Sequence, residues 1–186
     1  ENDGAATWTP AFTAADINIS ANVARDLHIA DMDSDGDLDI VSASSGDNTI
    51  AWYENDGAAN PSWTASDISY TALGPRGIFL ADIDSDGDLD IVSASSGDNT
   101  IAWYENDGAA NPSWTAADIT TTANGARNVF VADIDSDGDL DIVSASHDDD
   151  TIAWYENDGN SDPSFTKNVI STSADGARGV HIADID

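Results

Sequence analysis

The sequence predicts an all-β protein, a β-propeller-type array of four-stranded antiparallel blades with about 51 residues per repeat, incomplete at both ends. Three observations predict it. The string Asp-x-Asp-x-Asp-Gly-Asp-Leu-Asp occurs at Asp31–Asp39, Asp82–Asp90 and Asp133–Asp141, each copy 51 residues after the last, and begins again at Asp184. Segments 31–68 and 82–119 differ only at Met32/Ile83 and Ser66/Ala117, so the period belongs to a repeated supersecondary unit. Within a unit, four short apolar runs alternate with turn residues, and no stretch keeps apolar residues at helical spacing over three turns.

The second unit serves as template. Gly77-Ile78-Phe79-Leu80-Ala81 is a short apolar run leading into the acidic loop. Leu89-Asp90-Ile91-Val92-Ser93-Ala94 is rich in β-branched residues, which suit a pleated surface. Ser96-Gly97-Asp98-Asn99 has the composition of a turn. Thr100–Glu105 alternates, placing Ile101 and Trp103 on one face and Ala102 and Tyr104 on the other. Asn106-Asp107-Gly108 is a second turn, Pro112 keeps the connection irregular, and Trp114–Ile119 is a fourth strand. The array then divides into a partial blade at 1–24 with an outer strand Phe12–Ile19, blades at 25–75, 76–126 and 127–177, and the start of another at 178–186 with an inner strand Val180–Asp184.

Charge narrows the function classes. The 186 residues carry 36 acidic and 5 basic side chains, a formal charge of −31. Nucleic acid is excluded as a partner, because binding a polyanion relies on Lys and Arg replacing its counterions. An anionic membrane surface is disfavoured on the same ground, and no apolar run reaches the length of a membrane span. The three loops with Asp184 and Asp186 hold 17 of the 36 acids, so about half the negative charge lies where a cation could neutralise it. There is no cysteine, and metal loops can supply the stapling that disulfides supply elsewhere.

Each acidic loop has the donors of a calcium site. Asp at positions 1, 3, 5 and 9 offers hard oxygens, Gly at position 6 permits a tight turn, and the carbonyl of position 7 completes the shell, as in an EF-hand loop. The expected side-chain ligands are Asp31, Asp33, Asp35 and Asp39, then Asp82, Asp84, Asp86 and Asp90, then Asp133, Asp135, Asp137 and Asp141. Asp37, Asp88 and Asp139 are expected to ligate through the backbone, and Asp184 and Asp186 open a fourth copy. Calcium accepts six or more flexible oxygen ligands, whereas magnesium holds its waters and demands an octahedron. An EF-hand proper is excluded, because Ser93 and Ser144 stand at position 12 and the flanks are strands. Without metal, carboxylates so close should raise one another's pKa.

Asp-Ile-Asp-Ser-Asp-Gly-Asp-Leu-Asp-Ile-Val-Ser-Ala-Ser, followed by Thr-Ile-Ala-Trp-Tyr-Glu-Asn-Asp-Gly, resembles the FG-GAP/VCBS repeats of secreted and surface bacterial proteins, relatives of the integrin α-subunit propeller blades. The resemblance covers nearly the whole chain. It implies a calcium-binding propeller outside the cell or on its surface, with calcium ligands at the positions named above. Val-Ser-Ala-Ser stands where the integrin version has Gly-Ala-Pro, so integrin-like ligand recognition is not implied.

Other residues recur at the same interval. Arg25, Arg76, Arg127 and Arg178 are four of the five basic residues, and each is expected to pair with a neighbouring acidic loop, the alternative being a ligand-binding Arg on each blade. His28, Phe79, Phe130 and His181 share one register, so that site requires an aromatic shape and not imidazole chemistry. His147 replaces a Ser in the third hairpin turn and is expected to face water. Trp52-Tyr53, Trp103-Tyr104 and Trp154-Tyr155 are expected to pack between blades, with sugar stacking as the other reading. No nucleophile motif occurs, and carboxylates committed to Ca²⁺ make poor general acids, so the chain is not expected to be an enzyme.

Three functions follow as expectations. The first is a calcium-binding extracellular module for interaction or adhesion within a larger surface protein, meeting another protein or a glycan. The second is a structural filament or stalk of near-identical repeats, self-associating through incomplete terminal blades. The third is a lectin-like propeller.

Overall fold

The computed structural model describes residues 16–18 and 20–185. Among these residues twelve strands form three antiparallel sheets, each built from four consecutive strands in chain order. The first holds β1 (Ala24–Ala30), β2 (Asp39–Ser44), β3 (Thr49–Asn55) and β4 (Trp63–Ser69). The second holds β5 (Pro75–Ala81), β6 (Asp90–Ser95), β7 (Thr100–Asn106) and β8 (Trp114–Thr120). The third holds β9 (Ala126–Ala132), β10 (Asp141–Ser146), β11 (Thr151–Asn157) and β12 (Phe165–Ser171). Among the described residues there is no helix, so the propeller-type blade expected from the repeat is the fold observed.

Local chemistry explains the turns. Asn48, Asn99 and Asp150 adopt positive φ in the hairpins joining the second and third strands, a conformation short polar side chains tolerate. Their carbonyl or carboxylate oxygens accept the backbone N–H of Gly74, Gly125 and Gly176 at 2.9, 2.9 and 2.8 Å, tying each hairpin to the connection that enters the next blade.

Alternation along the third strand decides how blades stack. Ile50, Trp52, Met32 and Val41 of the first sheet pack against Ile78, Ile91, Ala102 and Tyr104 of the second. The next interface repeats the pattern, with Ile101, Trp103 and Val92 against Val129, Ile142, Ala153 and Tyr155. Both faces of the middle blade are therefore covered, and its second strand is buried throughout, as is that of the third blade. Each Ile so removed from water contributes about 1.5–3 kcal/mol.

The first strands of successive blades lie side by side. His28, Phe79, Phe130 and His181 stack in sequence, with ring centroids 5.6, 4.8 and 4.7 Å apart, so the shared register is a column of aromatic shapes. Backbone N–H groups of Ile78 and Val180 donate to Asp26 Oδ2 and Asn128 Oδ1, both at 3.0 Å. At the middle position Gly77 has no side chain, and a Cβ there would lie 2.8 Å from the Arg127 carbonyl. Its absence permits the close approach of β9.

The ends differ from expectation. The outer strand Phe12–Ile19 falls, apart from Asp16–Asn18, outside the described residues. Val180–Asp184 occupies the place of an inner strand, through the Val180 bond and the His181 ring, yet forms no ladder. A strand needs a paired neighbour, and the second strand that pairs with the equivalent segment elsewhere has no counterpart among the described residues.

Candidate metal centre

Each acidic loop leaves the first strand of a blade and returns as its second, so it sits at one end of the sheet. The turn is set by residues in the left-handed region, Ser34, Ser85 and Ser136 at position 4 and Gly36, Gly87 and Gly138 at position 6. A Cβ at any of these glycines would meet open space, so backbone conformation, not crowding, selects Gly there.

The first Asp organises the loop. Asp31 accepts from Asp35 N at 3.1 Å through one oxygen and from Gly36 N at 3.0 Å through the other. Asp82 does the same with Asp86 and Gly87, and Asp133 accepts from Ser136 and Gly138. The third Asp adds a longer bond from the fifth residue's N–H at 3.3 Å in all three loops.

The ninth Asp has a task beyond the expected one. Asp39, Asp90 and Asp141 are fully buried. One oxygen of each accepts the N–H of position 2 (Met32, Ile83, Ile134) at 3.1 Å. The other accepts the N–H of Asn55, Asn106 or Asn157 at 2.9 Å. It thus ties the loop to the end of the third strand. Each oxygen has a second lone pair, so these bonds leave acceptor capacity for a cation.

Those carboxylates converge. Asp31, Asp33 and Asp39 each present an oxygen within 4.8 Å of the others, as do Asp82, Asp84 and Asp86 in the second loop and Asp133, Asp135 and Asp141 in the third. The remaining expected ligands of the complete loops, Asp35, Asp90 and Asp137, join through the hydrogen bonds above. Asp184 begins the fourth copy, and Asp186 lies outside the described residues.

Electrostatics follow the crowding. Burial and then the charges of Asp35 and Asp39 raise the Asp33 carboxyl. Asp84 is raised by burial and Asp86, and Asp135 by desolvation with Asp137 and Asp141. Burial pushes Asp90 up to about 7, against the downward pull of the Asn106 and Ile83 N–H groups. The buried Trp103 Nε1 has no hydrogen-bond partner among the described residues. A divalent cation would replace the repulsion within each loop by attraction, and the oxygen-only donor set fits calcium.

Position 7 acts at the turn that follows the third strand. The carboxylates of Asp37, Asp88 and Asp139 sit against Gly57, Gly108 and Gly159, where a Cβ would collide with them. Their backbone N–H groups donate to the fifth Asp at 2.9, 2.9 and 3.0 Å. Sequence spacing missed the Asn of that turn. Asn106 Nδ2 donates to the carbonyl of Leu89 in its own blade at 3.2 Å and to Met32 of the preceding loop at 3.0 Å. Asn157 repeats this with Leu140 and Ile83, both at 3.1 Å. The recurrence of Asn-Asp-Gly at the repeat interval was the available signal.

One expectation needs correction. No ion pair joins the arginines to the three complete acidic loops among the described residues. Arg25 and Arg76 donate from Nε to Ser45 and Ser96 Oγ at 3.0 and 2.7 Å instead. The reason is distance, since Arg begins a seven-residue inner strand and the loop follows its end, roughly 20 Å away. His147 is half-buried, with Nδ1 2.6 Å from Asp148 and Nε2 3.4 Å from Arg178, in place of the hydroxyl its predecessors offer. Trp52, Trp103, Tyr104 and Tyr155 pack between blades as expected, Tyr53 is buried outside those two clusters, and Trp154 is only half-buried.

The model of the FG-GAP-like repeat matches residues 31–93, 82–144 and 133–186, each match running from one acidic loop into the next. No curated protein matches the chain. With three consecutive matches spanning Asp31 to Asp186, and a four-stranded blade behind each complete loop, the chain belongs to the FG-GAP-like repeat family.

Proposed function

We propose that this chain is a calcium-binding repeat module acting outside the cell or on its surface, for interaction or adhesion within a larger protein. The observation that carries the reading is the convergence of three carboxylates within 4.8 Å in each of three loops in strict register. Asp31, Asp33, Asp35 and Asp39, with their counterparts at Asp82, Asp84, Asp86 and Asp90 and at Asp133, Asp135, Asp137 and Asp141, would hold the ion by side chains. Asp37, Asp88 and Asp139 would add a carbonyl, and Asp184 with Asp186 would begin a fourth site. The ion supplies positive charge that relieves carboxylate repulsion.

The rest is done by the chain itself. The carbonyl of position 2 lies inside the loop and accepts the Asn side chain of the following blade. Ordering the loop therefore orders the blade-to-blade contact. Sites of this kind in extracellular modules bind with Kd of about 10⁻⁴–10⁻³ M, which suits the calcium concentration outside cells.

A second reading, a structural stalk, is favoured by the near-identical bonding at successive interfaces. Sedimentation with and without Ca²⁺ separates a discrete module from a polymer.

Thermal unfolding tests the calcium reading. EDTA should lower the melting temperature, and Ca²⁺ should restore it better than Mg²⁺. At 100 times Kd each site adds roughly 2.7 kcal/mol. A melt indifferent to EDTA would refute the proposal.

A further inference from the structure

We propose that the arginines opening the inner strands, centred on Arg76 and Arg127, form a second ligand site that takes an oxyanion (sulfate, phosphate or carboxylate) at the end of the blades opposite the aspartate loops. The backbone first singles these residues out. In β1 the pairing steps from Ala24↔Ser44 to Asp26↔Ala43, in β5 from Pro75↔Ser95 to Gly77↔Ala94, and in β9 from Ala126↔Ser146 to Asn128↔Ala145. Arg25, Arg76 and Arg127 are thus each the extra residue of a β-bulge. A bulge re-aims its side chain out of the ladder and is a device found beside binding sites.

The row is also contiguous. A Cβ on Gly77 would press on the Arg127 carbonyl, so the backbones that carry Arg76 and Arg127 touch at this end of the blades. Like charges brought near one another cost stability unless something offsets them, and Arg76 is held below its usual pKa by burial and then by Arg127 and Arg25. No ion pair joins an acid at this end to these arginines among the described residues. Asp47, Asp98, Asp149 and Asp150 accept backbone N–H groups of Asn22, Leu73, Asn124 and Gly176. Asp148, whose charge supports Arg76, is bonded to His147.

Donor capacity is left over. Arg76 spends Nε on Ser96 Oγ, which fixes the plane of its fork and leaves its terminal nitrogens without an acceptor among the described residues. Arg127 has lost the equivalent serine to His147, and its Nε is buried without a partner. Two planar forks on neighbouring strands suit an oxyanion, which each can engage in a bidentate manner. The net charge of −31 does not forbid this. The aspartate loops lie roughly 20 Å along the strand, beyond the screening length of about 8 Å at physiological ionic strength.

The site does not depend on calcium, so its test is separate from that of the metal loops. The intact chain, with and without Ca²⁺, is titrated with sodium sulfate against sodium chloride at matched ionic strength, following the arginine Nε–Hε resonances. Saturable shifts of Arg76 and Arg127 with sulfate alone are expected. Affinity should fall roughly tenfold in Arg127→Gln and stay unchanged in Lys167→Gln, the basic residue outside the row. Arg127→Lys keeps the charge and loses the fork, and covers the case in which the Gln variant does not fold; it too should bind more weakly. Shifts that follow ionic strength without saturation, or wild-type affinity in a folded Arg127 variant, would overturn the proposal.

Discussion

Asn106 Nδ2 donates to the Met32 carbonyl at 3.0 Å across 74 residues of chain, joining the turn of one blade to the acidic loop of the blade before it. Both groups are buried, so breaking the bond leaves an acceptor without water. Asn106→Ala should cost about 1–3 kcal/mol in urea unfolding. Asn55→Ala should cost less, because Asn55 reaches only Leu38 of its own blade and its bond is exposed. Equal losses would show that the cross-blade bond contributes nothing.

The inner strands allow a paired test of stacking. Ile78 and Leu27 hold the same register, but Ile78 is 1 % exposed between blades and Leu27 is 59 % exposed. Ile78→Ala should cost about 2–5 kcal/mol, within the range for truncating a buried aliphatic side chain. Leu27→Ala should stay within about 0.5 kcal/mol, as exposed substitutions do. Similar values for the two would contradict the interface described.

Gly108 combines two constraints. Its φ is +65° and a Cβ would strike the Asp88 carboxylate. Gly108→Ala should cost at least about 1–2 kcal/mol from the left-handed conformation alone. Adding Asp88→Ala should return the steric share, so the double variant is less destabilised than the sum of the two. Strict additivity would show that the carboxylate does not crowd the turn.

Asp158 supplies a pH dependence away from the metal loops. The Ser164 hydroxyl and then the Ser164 N–H hold its carboxyl down to about 2, against an ordinary 3.8. A depressed folded pKa means that the contribution is present above the ordinary value and is lost as pH falls from 3.8 through about 2. Ser164→Ala should move the Asp158 titration upward when followed by carboxyl NMR. An unmoved titration would remove Ser164 as the cause.

Much of this architecture is legible in the chain because a sheet covered on both faces writes its burial in a period of two. Ile101 and Trp103 face one neighbour, Ala102 and Tyr104 the other, as alternation alone requires. The clustering of loop carboxylates is legible for a similar reason, since five alternate Asp around a tight turn have little room to diverge. What was hidden depends on distant partners. Nothing local to Asn106 says where the Met32 carbonyl will be. Arg76 was expected to seek the nearest dense acid, yet strand length puts the loop at the far end and hairpin pairing puts Ser96 beside it. The ninth Asp was legible as a carboxylate of the loop but not as the tether to Asn55, Asn106 and Asn157, which lies 16 residues onward through a folded hairpin.

The most direct test of the central claim is the number of calcium ions bound, measured by calorimetric titration of the chain and two variants. Three complete loops predict three ions for the unaltered chain. Asp82→Ala removes a side-chain ligand from the middle loop and should leave two. Asp88→Asn preserves the position-7 carbonyl and should leave three. No saturable calcium binding, or the same count in Asp82→Ala as in the unaltered chain, would contradict the account.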